Sequence, residues 1–231
     1  MIINSLPNEN INNSKIDNMA IIIFSLLQKL KGKIGNLIFY QARGQNRMRS
    51  QNQIKRVPKT ATQILQQNRI RASVSFYRAN QNDGLSHIWR QEAKDKVMSG
   101  YNLFLSKNLA AFDQEHRIRD YGMLHISCGK LELPAHLQVT SYESGYIHLN
   151  WDNIIPEDSA RNQDFLHAKW MNAKGNFSLQ KVTIKNIRRK DKEAHLAVPE
   201  AGKEEIHLYL YFSDEEGDQF SPDKYFHLQK R

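Results

Sequence analysis

A chain of 231 residues with 40% apolar and 25% charged side chains can bury a real core, which excludes an intrinsically disordered protein. Its net charge of +9 and pI near 9.5 point to an anionic partner: nucleic acid, an anionic membrane surface or an acidic protein. One cysteine, Cys128, excludes an intrachain disulfide and suits a reducing compartment, so the cytoplasm is the expected location.

Residues 1–18, MIINSLPNENINNSKIDN, are Asn-rich and weakly apolar, and read as a disordered tail. Met19 opens a more structured sequence and is an alternative start of translation. The apolar run Met19–Leu27 is the longest in the chain and too short to span a bilayer. Lys15, Glu9 and Asp17 precede it and no small-residue cleavage site follows, so no signal peptide is expected.

The charge is unevenly placed. Asn18–Asn82 holds 12 Lys and Arg and no Asp or Glu, where proportion would put about seven acids. Residues 1–17 sum to −1 and residues 83–231 to −2, so the whole surplus sits in this early segment. Within it, Leu37–Tyr40 is β-prone, and Gly44 separates it from Arg47–Ser50, which predicts a β-hairpin. Arg47 and Arg49 share one face of the second strand, with Arg43 near the turn. Two readings stand side by side: an arginine ribbon offered to phosphates, or a solvated edge strand that uses charge against aggregation. Gly32-Lys-Ile-Gly35 lacks the Gly-Lys-Ser/Thr of a Walker loop and the dinucleotide fingerprint, and reads as two glycines in a turn.

Pro58 biases Val57 towards an extended backbone. Thr60 with Gln63 forms a capping-box pattern, which predicts a helix over 61–80 carrying Arg69, Arg71 and Arg78 without a neighbouring acid. Asp83-Gly84 ends it. A second helix is predicted over 86–112, with an apolar stripe of Trp89, Ala93, Val97, Gly100, Tyr101, Phe104, Leu105, Leu109 and Phe112. Beyond the charged linker 113–120 the period changes to two. Strands are expected at 146–151, 165–171 and 206–212, the last with His207, Tyr209 and Tyr211 outward. Shorter candidates are 124–127, 137–141, 177–184, 195–198 and 225–228. Seven or eight such strands predict an antiparallel β-sandwich, with Trp151 as its central aromatic. The expected class is α+β: a disordered tail (1–18), a basic β-hairpin and two-helix module (19–120), and a sandwich (121–231).

Two sets of residues together resemble a known family. One is Gly32–Asn36, Gly44, Arg49, Pro58–Thr60, Gln63 and Asn68-Arg69. The other is a Trp-bearing helix followed by a sandwich. They resemble an uncharacterised Bacteroidota family, a domain of unknown function, whose second part is immunoglobulin- or fibronectin-III-like. The Pro-x-Thr-x-x-Gln helix start is similar to that of phage and prophage proteins of unassigned role. The likeness runs from about Met19 to the C-terminus. It departs at Val57-Pro58-Lys59-Thr60, where Asn-Pro-x-Thr is usual. It implies an architecture and no activity.

No catalytic signature is present, and the expected function is non-catalytic, with no cofactor and no metal. His125-x-x-Cys128 offers two metal ligands where zinc needs three or four, and His207 joins them only if the fold brings it there. The expected role is binding of a polyanion, nucleic acid first, with little sequence specificity, through Lys31, Lys33, Arg43, Arg47, Arg49, Lys55, Arg56, Lys59, Arg69, Arg71 and Arg78. The alternative is a structural or assembly subunit of a phage-like or other multi-subunit complex, or a homo-oligomer, which uses the β-sandwich for protein contacts and whose basic segment meets an acidic protein surface.

Overall fold

A computed structural model describes residues 19–21, 30–42, 44–51, 58–143, 145–172, 177–182, 184, 186–198 and 205–229, the first three by backbone alone. The expected tail lies outside these residues, as do Arg43, Lys55 and Arg56. The chain divides into two units, Met1–Pro58 and Lys59–Arg231.

In Met1–Pro58 four short strands form an antiparallel sheet: β1 (Met19–Ile21), β2 (Gly32–Ile34), β3 (Leu37–Ala42) and β4 (Gln45–Ser50), in the order β1-β4-β3-β2. The expected hairpin is its β3–β4 centre, turned by Gly44 at φ 72°. Gly35 turns β2 into β3 at φ 57°, whereas Gly32 begins a strand.

Lys59–Arg231 starts with the predicted helix α1 (Ala61–Asn80). Its capping box is complete: Gln63 N donates to Thr60 Oγ1 at 3.3 Å, and Thr60 N donates to Gln63 Oε1 at 3.2 Å. The second predicted helix is instead two, α2 (Leu85–Glu92) and α3 (Gly100–Asn108). Ser99 restarts the helix by accepting from Asn102 N at 3.1 Å. Gly100 packs onto the end of α2 so closely that a Cβ there would sit 2.5 Å from the Trp89 carbonyl carbon. Val97, placed in the apolar stripe, lies in the intervening turns and is 62% exposed.

Seven strands follow: β5 (Ala135–Glu143), β6 (Tyr146–Asp152), β7 (Phe165–Asn172), β8 (Gln180–Lys181), β9 (Glu193–Ala197), β10 (Ile206–Ser213) and β11 (Lys224–Leu228). They form two antiparallel sheets, β5-β6-β9 and β11-β10-β7-β8, the strand distribution of a fibronectin-III-like sandwich. Between the sheets, Leu137, Ile147, Leu149, Trp151, Leu166, Leu208, Leu210 and Phe212 make one core. Trp151 is central to it. Its Nε1 donates to Arg189 O at 2.7 Å, and its ring meets Phe212 edge-on at 5.8 Å.

The outer side of β10 is not a solvent face. All eight of its residues are buried. Tyr209 and Tyr211, expected outward, join Phe76, Trp89, Phe104 and Phe112 in a second core together with Met171, Leu179 and Phe220. The helices and the sandwich therefore belong to one unit, which begins at Lys59, where the sequence reading set a boundary at residue 120. The expected strand at 124–127 is irregular backbone. Asn108 takes over the pairing a strand would have provided, donating to His125 O at 3.1 Å and accepting from His125 N at 2.6 Å, so that Leu124 and Ile126 can be buried.

Among the described residues Arg189 is the largest charged side chain in the interior, 1% exposed. Its guanidinium pairs with Asp164 at 3.1 Å, donates to Glu132 O at 2.6 Å and lies 5.0 Å from the centre of the Phe212 ring.

Two outcomes follow from this packing. Gly100→Ala should lower stability by about 1–3 kcal/mol in chemical denaturation, because the new methyl meets backbone that cannot yield. Arg189→Met should cost about 3–5 kcal/mol by leaving the Asp164 carboxylate buried alone, and adding Asp164→Leu should recover most of the loss.

Candidate polyanion-binding surface

The sheet of Met1–Pro58 has two unlike faces, and the two-residue period of its strands creates them. Lys33 pairs across to Ile38, which pairs across to Arg49, so these three form one row on one face. Arg47, two residues along β4 and opposite Tyr40, is on that same face. Phe39 pairs with Met48 and belongs to the other face with Leu37 and Ile34. Lys33 and Arg49 stand about 10 Å apart across two strand spacings, and Arg47 and Arg49 about 7 Å apart along one strand. These separations are within about one Debye length at 0.1 M salt, so the charges repel one another and add towards an approaching anion. Lys31, Lys33 and Arg49 are exposed. Arg47 is half-buried and donates to Gln45 Oε1 at 3.0 Å.

In the second unit, Arg71 and Arg78 are seven residues apart on α1, on one exposed face. Lys59 reaches that side, donating from Nζ to Gln67 Oε1 at 2.8 Å, and Arg71 donates to Asn68 Oδ1 at 3.3 Å. Arg69 departs from the group in which the sequence placed it. It follows the inward stripe of Ala72, Ser73, Phe76 and Asn80, and is half-buried. Among the described residues, none of Lys31, Lys33, Arg47, Arg49, Lys59, Arg69, Arg71 and Arg78 forms an ion pair, whereas Arg117, Arg161, Arg188 and Arg189 all do.

The titratable groups of the sandwich are arranged differently from the sequence expectation. His125 and Cys128 do not converge on a third ligand among the described residues. His125 Nδ1 lies 3.1 Å from Asp223 Oδ1, which raises the imidazole pKa, and burial pushes the Cys128 thiol up. The group that does converge is Glu205, His207 and His227. Its sequence signal is Glu-x-His at the start of one hairpin strand and a histidine on the returning strand, legible only once that pairing is known. On β7, burial and the nearby charges of Lys169 and Lys181 press His167 down to about 4. Lys169 itself is lowered to about 8, chiefly by burial, and donates to Asp83 O at 2.7 Å.

A family model described as "Family of unknown function (DUF6266)" matches residues 29–227, which takes in every described cation of the early segment and the sandwich. No curated protein matches the chain. Among solved structures, the FN1–FN3 domains of chicken CNTN1 match at 11% identity and a TM-score of 0.32, over 44% of this chain and 33% of that one. The fn3 domain of human contactin 1 matches at 10% identity and a TM-score of 0.28, over 45% of this chain and 82% of that one.

His167 should make the fold acid-sensitive. Its folded pKa of about 4 lies below the unfolded value near 6.5, so its contribution is complete above about pH 6.5 and is lost as pH falls towards 4. Over that window its share of the slope of unfolding free energy should approach ~1.4 kcal/mol per pH unit, and His167→Gln should flatten the profile by that amount.

Proposed function

We propose, for a chain that belongs to the DUF6266 family of unknown function, that it is a non-catalytic protein that binds polyanions, nucleic acid above all. The observation that carries this reading is the cationic sheet face of Lys33, Arg47 and Arg49, in a segment of the sequence without a single carboxylate. Unpaired like charges within a Debye length of each other take their counter-charge from another molecule. Phosphates meet that need, and guanidinium groups on a strand contact them without reading bases. Arg71, Arg78 and Lys59 supply a second set of phosphate contacts on α1. No base-reading motif accompanies them, so little sequence preference is expected. The single cysteine fits a cytoplasmic setting. Among the described residues no helix is long and apolar enough to cross a membrane.

The test is fluorescence anisotropy of a labelled duplex across a potassium chloride series. With Lys33, Arg47, Arg49, Lys59, Arg71 and Arg78 each neutralising one phosphate, log K against log salt should have a slope of about −5. Lys33→Ser with Arg47→Ser and Arg49→Ser should flatten it by about 3. Arg69→Ser, on the inward stripe of α1, should leave it unchanged. Duplexes of different sequence should bind equally. A slope near zero, or a triple variant with wild-type binding, would overturn the reading. A defined oligomer with no affinity for nucleic acid would favour an assembly subunit that meets an acidic protein.

A further inference from the structure

His207 and His227 oppose each other across the β10–β11 pair. Glu205, two residues before His207, returns to the same side of the chain. One ligating atom from each of the three, two imidazole nitrogens and a carboxylate oxygen, lies within 4.8 Å of the other two.

The inner member of this group is held rigidly. His207 is 5% exposed, and the Tyr121 ring stacks on its imidazole at 3.5 Å between centroids and 4° between planes. Its Nδ1 lies 2.8 Å from Tyr225 Oη. The tautomer that donates there leaves a lone pair on Nε2, and Nε2 is buried without a partner. An unsatisfied buried nitrogen costs about 1–3 kcal/mol, so it calls for an occupant. The outer members, Glu205 and His227, are exposed and hydrogen-bonded to each other through Oε1 and Nε2. Their side chains can turn towards the fixed Nε2 of His207.

We propose that Glu205 Oε1, His207 Nε2 and His227 Nε2 form a binding site for a divalent transition metal of the zinc class. Two neutral imidazoles and one carboxylate suit zinc, whereas calcium and magnesium require oxygen ligands. Three protein ligands leave one tetrahedral position open to solvent. Binding replaces the His227–Glu205 hydrogen bond: the Nε2 proton leaves for solvent while Nδ1 takes one up, so the metal-bound ring is the neutral tautomer protonated on Nδ1. Tyr225 is a positioning residue, because its oxygen fixes the His207 tautomer and ring angle. The site ties the last two strands of the sandwich together and is independent of the cationic sheet.

The test is calorimetric titration of zinc chloride into the full chain after chelator treatment, with cobalt(II) as a spectroscopic probe. One ion should bind per chain, raise the melting temperature and give the visible bands of low-coordinate cobalt. Glu205→Gln and His227→Gln alter exposed side chains, so they should fold normally while weakening zinc binding at least tenfold. Tyr225→Phe should weaken it about tenfold with the stoichiometry intact. Magnesium should not compete. The proposal fails if the wild-type chain takes up no zinc. It fails equally if Glu205→Gln and His227→Gln bind as wild type does, which would place the ion at other histidines or leave only water on His207.

Discussion

The burial of β10 on both faces is the constraint from which the arrangement of Lys59–Arg231 follows. Its Leu208, Leu210 and Phe212 side chains enter the sandwich core, and Tyr209 and Tyr211 enter the core built with the helices. Each such side chain contributes about 1.5–3 kcal/mol when fully removed from water, so a strand packed on both sides organises both layers. The consequence is that polar atoms buried on this sheet need partners within the fold, and among the described residues His207 Nε2 is the exception. Tyr209 Oη donates to Tyr121 O at 2.9 Å, and His167 Nε2 lies 2.9 Å from Ser213 Oγ. Burial raises the pKa of both Tyr209 and Tyr211 and takes Tyr225 to about 12, so these phenols stay protonated and serve as hydrogen-bonding aromatics.

Arg189 answers the same demand at the other side of the sandwich. Its charge is surrounded by a carboxylate, a backbone carbonyl and an aromatic face, and its own carbonyl holds the Trp151 indole. Burial lowers its pKa and raises that of Asp164. Both shifts show charged forms held in place against their desolvation rather than by it. Removing either partner of such a pair leaves the other charge buried and uncompensated, so the two depend on each other.

The sheet of Met1–Pro58 works by separation rather than neutralisation. Alternation puts Phe39 and Met48 on one face and Lys33, Arg47 and Arg49 on the other. Carboxylates are abundant elsewhere in the chain, and Arg117, Arg161, Arg188 and Arg189 find them, yet this segment has none in its own sequence. This lack of a counter-charge within the segment is the observation on which the proposed phosphate contacts rest.

What could be read in the sequence were features confined to a few residues or to composition. The Thr60–Gln63 cap, the Gly44 turn, the alternation of β6 and the acid-free segment all belong to this kind, because neighbours along the chain determine them. The break between α2 and α3 was hidden, since Trp89, Ala93 and Phe104 keep a helical spacing while both helices bury the same side into one core. The outer face of β10 was misread as solvent-facing because alternation records which residues share a side, not what covers it. Arg69 was grouped with Arg71 and Arg78 until the helix direction set it on the buried stripe. Glu205, His207 and His227 form a group only through a strand pairing. The sequence by itself determined α1, the hairpin, the longer strands, their turns and the placement of charge. Tertiary structure decided which polar faces meet water and which distant ligands meet each other, because burial and convergence depend on what the fold packs opposite a residue.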